Sequence, residues 1–194
     1  MSKIAVITSG LQYDIVGKNP ERTAAIAAAT PHLSGFLSAM RRRGYPVFHL
    51  QLLNEPDDPL AERYDGRVPA LRGTPGAEVV REFLDPDDVV QERSKDSGFY
   101  ETDLHDRLQA LGVETLILIG LQTQICIQTT AADAFFRGYI VGVPSDCVFS
   151  AFESDRHRAL EWLAGYCATV ASSEEILLMI DENGGLPRKE TKTP

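Results

Sequence analysis

Cys126 is the residue of this chain best placed to act as a nucleophile. It follows the tight segment Gly120-Leu121-Gln122-Thr123-Gln124-Ile125, which separates a short apolar run, Thr115 to Ile119, from a stretch with helical spacing. The run is rich in β-branched residues and bounded by Gly120, the pattern of a strand buried on both faces. Beyond Cys126, the apolar residues Ile127, Ala131, Ala134 and Phe135 recur at helical spacing as far as Arg137, and Gly138 stops the helix. Tyr139 to Val143 reads as a second buried strand. Strand, turn, helix and strand in this order close naturally as a parallel crossover. Cys126 then stands at the turn-to-helix junction, where backbone N–H groups lack partners and the helix dipole is positive, conditions that favour a thiolate. The ordinary alternative is a buried structural cysteine, since free cysteine usually packs as an inert small hydrophobe. Cys147 and Cys167 are expected to be of that kind.

Elements on either side position this segment. Lys3 to Thr8 is an apolar strand, Gly10 to Gly17 a loop, and Asn19-Pro20-Glu21 a helix start with a capping asparagine and proline at the first helical position. That helix runs to about Arg43, with Pro31 as the one expected point of interruption, and Pro46 to Leu52 is the second strand. Residues 53–77, with four prolines, read as a long loop that covers a site or serves one. Asp88 to Arg93 is a third strand, and Thr102-Asp103 caps a helix to about Leu111. After the central segment come a helix over Glu153 to Tyr166, a last strand over Ala168 to Ala171 and a final helix from Ser173 to Asp181. Six strands alternating with helices imply an α/β fold, a doubly wound parallel sheet with helices on both faces. One domain is expected over residues 1–181, with a mobile tail over 182–194. In such sheets ligands bind beyond the carboxyl ends of the strands. Tyr13, Phe99, Tyr100, Gln122, Phe149 and Phe152 are therefore candidates for an aromatic pocket wall, each also at home in a core. His49, at the end of the second strand, reads as a satisfied core histidine.

Composition narrows the class of function. The chain has 194 residues, a formal charge of −9 and 43% hydrophobic residues, as expected of a soluble globular domain. A net acidic chain without a basic cluster argues against nucleic acid and anionic membranes as partners. The run Arg41-Arg42-Arg43 falls at a predicted helix C-terminus, where the dipole favours cations. Three irregularly spaced cysteines make no disulfide framework, and no CxxC or HExxH pattern suggests zinc, so neither metal nor cofactor is expected. No apolar run approaches the roughly 18 residues of a membrane span. The opening MSKIAVITSG lacks a signal-peptide pattern, and a cytoplasmic location is the expectation.

The stretch GLQTQICIQTTAADAFFRGYIVGVPSDCV resembles the signature of the isochorismatase-like cysteine hydrolases, the group of nicotinamidases, N-carbamoylsarcosine amidohydrolases, ureide hydrolases and isochorismatase. The resemblance extends more weakly over roughly residues 3–180. It implies the strand order 3-2-1-4-5-6, a small-molecule substrate and a homo-oligomer. It also implies a site built on an Asp, a Lys and a Cys, in which the cysteine attacks a carbonyl or imine carbon and backbone N–H groups near a cis peptide bind the oxyanion. Cys126 matches the nucleophile, with Leu121–Gln122 as the cis bond and the N–H groups of Gln122 and Cys126 as donors. Gln12 and Thr123 join the candidate substrate-binding residues through the same motifs.

Two positions depart from the pattern. Gly10 occupies the place of the catalytic aspartate, and Arg93 that of the lysine, with Lys95 two residues on. Asp14 matches a second family aspartate and reads first as a structural cap of its loop. Arginine can hold a thiolate but does not trade a proton near neutral pH, and glycine does neither. Two readings follow. One is a hydrolase with a rearranged site, using Cys126, a cation at Arg93 or Lys95, and Asp14 or water as base; acid catalysis without a covalent step is a variant of it. The other is a catalytically silent relative that binds a small ligand or a protein. On the first reading, restoring the family residues with Gly10→Asp and Arg93→Lys should raise amide hydrolysis.

Overall fold

The computed structural model describes residues 3–57 and 68–189. A parallel sheet forms its centre. Strands β1 (Ile4–Ser9), β2 (Val47–Leu52), β3 (Val89–Arg93), β4 (Thr115–Leu121) and β5 (Ile140–Pro144) are joined by two shorter ones, β6 (Val148–Phe149) and β7 (Thr169–Ala171). The order is β3-β2-β1-β4-β5-β7, with β6 attached to β4. This corrects the expectation of six strands to seven. The added strand has a simple origin: β5 pairs with only the first half of β4, at Thr115, Leu116 and Ile117. β6 takes up the second half, opposite Gly120 and Leu121.

The helices follow from alternation along the strands. α1 (Tyr13–Val16), α2 (Pro20–Arg42), α3 (Leu104–Ala110), α4 (Gln128–Phe136), α5 (Glu153–Tyr166) and α6 (Ser173–Asn183) occur in that order. Ala5, Ile7, Leu116 and Leu118 face one core with Leu108 of α3, Ala131 of α4 and Leu163 of α5. Ile4, Val6, Ile117 and Ile119 face the other with Leu33 and Leu37 of α2 and Ile176 of α6. Coverage on both faces is why β1 and β4 read as unbroken apolar runs.

Two local expectations change. The 10–17 loop contains the single turn α1. α2 continues through Pro31, because Ile26, Ala29, Leu33, Phe36 and Leu37 bury one face on both sides of it, outweighing a proline cost of about 3 kcal/mol. The described part of the tail makes defined contacts. α6 reaches Asn183, Leu186 is buried in the second core, and Lys189 Nζ donates to the Ala164 carbonyl. Residues 58–67 of the long loop and 190–194 of the tail lie outside the described residues.

His49 proves to be a structural group. Buried in β2, it bonds Thr8 Oγ1 through Nδ1 at 2.8 Å and the Asp88 carboxylate through Nε2 at 2.9 Å. Arg41 reaches the same carboxylate. Burial pushes the Asp88 carboxyl up, but the bonds from His49 and Arg41 outweigh it and leave it below its ordinary range. This pairing contributes its full stability above an unfolded value of about 3.9 and loses it as pH falls through the lower folded value. Among the described residues no helix is long and apolar enough to cross a membrane.

Candidate active site

The carboxyl ends of β1, β3 and β4 converge on one cavity of about 190 Å³, with Gly10, Arg22, Arg93, Asp96, Gln122 and Cys126 in its wall. β4 delivers Cys126. After Leu121 the chain enters a wide turn, Thr123–Ile127, with π-helical hydrogen bonding, before α4 begins. The Ile127 N–H donates to the Gln122 carbonyl five residues back, at 3.2 Å. Such wide turns recur at functional sites. The Leu121–Gln122 peptide is cis.

Cys126 Sγ lies between opposite charges. Arg93 Nη2 approaches it at 3.4 Å, and the Sγ thiol can donate to Asp96 Oδ1 at 3.5 Å. Arg93 is buried at 3% exposure and firmly held. Its Nη2 donates to Ser9 Oγ at 3.1 Å, and its Nη1 to the carbonyl of Lys95. Asp96 belongs to a segment tied to α4: Ser97 Oγ donates to Asp133 at 2.7 Å, and the Gly98 N–H donates to Thr130 Oγ1 at 3.1 Å. The carboxylate therefore stands on an anchored turn. Arg22 adds a second buried guanidinium to the same wall. Burial lowers it from the usual arginine range, and the nearby Cys126 opposes that shift.

The expected site residues divide into those at the cavity and those elsewhere. Cys126, Arg93, Gly10, Leu121 and Gln122 meet there. Asp14 does not: its carboxylate accepts from the Ala70 N–H at 3.0 Å and sits where a side chain on Gly76 would collide with it, so it ties down a loop. Gln12 is a buried strut, donating to the carbonyls of Leu52 and Ala77 and accepting from the Leu52 N–H. Tyr13 is half-exposed, and its hydroxyl accepts from the Arg81 N–H. Lys95 enters the site through its carbonyl, which accepts from Arg93. Phe99 stacks on Tyr139 in the core at 5.9 Å between centroids. Tyr100 and Phe152 are largely exposed, Phe149 packs against the second core, and Thr123 is buried. None of these aromatic residues is among the described residues that line the cavity. Its apolar part comes from Ile15, Leu52, Leu121 and Ile125 instead.

Sequence reasoning missed Asp96, Arg22 and Ser9. Asp96 lies three residues past Arg93, just beyond the end of the third strand, and a search of that stretch for any carboxylate would have found it. Among the described residues, no cluster of three or more His, Cys, Asp or Glu side chains is arranged to hold a metal.

The three thiols differ sharply in surroundings. Cys147 and Cys167 are buried at 0% and 1% exposure, whereas Cys126 is partly open. Burial pushes the Cys147 thiol well above its ordinary value and the Cys167 thiol up to about 11. Iodoacetamide near neutral pH, followed by peptide mapping, is therefore expected to modify Cys126 first; equal labelling of all three in the folded protein would contradict this placement.

Comparison with known proteins agrees with this fold. The isochorismatase domain profile matches residues 4–175. Over 141 residues the chain is 33% identical to nicotinamidase 3 of Arabidopsis thaliana, covering 68% of this chain and 70% of the relative. It is 36% identical over 97 residues to the ureidoacrylate amidohydrolase RutB of Methylobacterium radiotolerans, covering 48% of this chain but only 38% of that relative's length. Among solved structures, an isochorismatase-like hydrolase from Alkaliphilus metalliredigens superposes with a TM-score of 0.84 at 26% identity, covering 91% of this chain and 98% of the other. N-carbamoylsarcosine amidase from Thermoplasma acidophilum gives 0.77 at 31% identity, covering 90% and 98%. The chain belongs to the isochorismatase family.

Proposed function

We propose that this protein is a cysteine hydrolase of small amides or related C–N compounds, with Cys126 as nucleophile, Asp96 as proton acceptor and donor, and Arg93 as a fixed cation. The observation that carries this reading is the placement of Cys126 Sγ between Arg93 Nη2 at 3.4 Å and Asp96 Oδ1 at 3.5 Å, in the wall of a cavity. Asp96 supplies from the end of β3 the carboxylate that the family places at the end of β1.

The steps follow from these positions. Asp96 takes the Cys126 proton as sulfur adds to the substrate carbonyl carbon, and Arg93 stabilises the charge on sulfur without giving up a proton. The carbonyl oxygen becomes an oxyanion, for which the N–H groups of Gln122 and Cys126 are the proposed donors. Collapse breaks the C–N bond, and Asp96 returns its proton to the leaving nitrogen. Water then gives a proton to Asp96 and attacks the thioester, releasing the acid and restoring the thiol. The net reaction is amide plus water to acid plus amine or ammonia.

Asp96→Asn tests the assignment. General acid–base help is worth roughly 10²–10⁴-fold, so turnover of a responsive amide should fall by about that factor. The unfolding temperature should change little, because the anchoring bonds of this segment come from Ser97 and Gly98. Unchanged kcat in Asp96→Asn would exclude the carboxylate from the proton transfers.

A further inference from the structure

We infer that Asp133 of α4 is a positioning residue, which sets the reach of Asp96 to Cys126 through Ser97; this deepens the hydrolase reading and rests on it for the role of Asp96. Asp96 needs such support. β3 is an edge strand of the sheet, and its pairing with β2 ends at Arg93, opposite Leu52. Asp96 lies three residues further on, exposed, on a chain that has left the ladder. A carboxylate in such a place is held to its task only by contacts from outside its own strand.

α4 supplies those contacts. Thr130, Asp133 and Arg137 follow Cys126 at spacings of four, three and four residues, which places the three on one side of the helix. Each grips part of the segment that carries Asp96. Thr130 Oγ1 accepts from the Gly98 N–H at 3.1 Å and can donate to the Asp96 carbonyl at 3.4 Å. Asp133 Oδ2 accepts from Ser97 Oγ at 2.7 Å, and Ser97 Oγ accepts in turn from the Phe99 N–H at 3.1 Å. Asp133 Oδ1 accepts from Arg137 Nε at 2.8 Å, and the Arg137 guanidinium stands over the Phe99 ring at 5.1 Å. The helix that follows the nucleophile thus also holds the loop of the carboxylate. Among these contacts the bond from Ser97 to Asp133 is the shortest, and it lies next to Asp96 in the chain. Its acceptor is charged, which makes such a bond roughly twice as strong as a neutral one. Without it Asp96 is free to drift from Cys126, and a misplacement of about 1 Å at a reacting centre can cost roughly 10²-fold.

A double-mutant cycle on the hydrolysis of p-nitrophenyl acetate separates this role from a merely structural one. Asp133→Ala should lower kcat/KM by roughly 10–100-fold. In an Asp96→Asn background the same substitution should cost less than about twofold, because the group it positions is already gone. Asp133→Asn keeps an oxygen for Ser97 and should retain most of the wild-type rate. Circular dichroism checks folding, and if Asp133→Ala does not fold, Ser97→Ala takes its place in the cycle. An unchanged kcat/KM in Asp133→Ala, or an equal loss in both backgrounds, overturns the positioning role and leaves the hydrolase reading standing. Wild-type turnover no faster than that of Cys126→Ala, or a full rate in Asp96→Asn, removes the hydrolase reading and the positioning role with it.

Discussion

Cys126→Ala is expected to reduce turnover by at least about 10⁴-fold, since removing the nucleophile of an acyl-transfer site leaves only what binding and the oxyanion donors supply. The fold should survive. Cys126 is partly open and stands in the turn before α4, and its side-chain partners are Arg93 and Asp96 at long hydrogen-bonding distances. The lost interactions are polar and weak, so the unfolding temperature should move by only a few degrees. Cys126→Ser keeps a hydroxyl in place and should also be severely impaired, because neither Arg93 nor Asp96 can make serine the nucleophile that sulfur is. The check is kcat/KM on a responsive amide, with circular dichroism to confirm folding. Retention of more than about a tenth of the activity in Cys126→Ala would exclude the covalent route.

Gly10→Asp is expected to damage the protein rather than restore a family site. Gly10 has φ +68°, and a Cβ built there would lie 2.1 Å from the Leu121 carbonyl oxygen. The neighbouring pair is equally close, since a Cβ on Gly120 would lie 2.1 Å from the Ser9 carbonyl oxygen. The ends of β1 and β4 thus approach backbone to backbone, and a side chain at 10 must push them apart. Left-handed strain costs of order 1–3 kcal/mol and overpacking a similar amount. Together they should destabilise the protein by about 3–5 kcal/mol and lower Tm by roughly 10 °C. Gly10→Ala should show most of the same loss, because the collision begins at Cβ. Thermal unfolding of both variants is the test; a Gly10→Asp protein with unchanged Tm and faster amide hydrolysis would show that the two strand ends yield. Arg93→Lys is no simple restoration either. Arg93 spans Ser9, Lys95 and Cys126 from two separate nitrogens, a spread that one ammonium does not reproduce.

These two outcomes mark where sequence reasoning reached its end. The sheet was legible because β1 and β4 are covered on both faces and leave continuous apolar runs, and α5 was legible to its exact ends from spacing alone. β6 was not, since two residues carry no periodicity and the strand exists only because β5 leaves half of β4 unpaired. The helix was expected to run to about Arg43 with Pro31 as a point of interruption, because the packing that holds α2 together comes from elsewhere in the chain. At the site, Cys126 could be named from local pattern, and Arg93 from the family resemblance. Asp96 and Arg22 carry no local pattern that sets them apart from surface charges, and only a search for any carboxylate just past Arg93 would have picked out Asp96. Their roles arise when the ends of β3, β4 and α2 meet at one cavity. Asp14 read first as a structural cap of its loop and second as a candidate base, and its hydrogen bond from the Ala70 N–H commits it to the loop.

Capture of the acyl-enzyme tests the central claim most directly. Folded protein mixed with p-nitrophenyl acetate, acid-quenched within the first turnover and digested, should yield an acetylated peptide containing Cys126. The adduct should persist longer in Asp96→Asn, where the deacylating water lacks its base, and be missing in Cys126→Ala. Acetylation found instead on Cys147, Cys167 or a lysine, with the Cys126 peptide unmodified, would contradict the account.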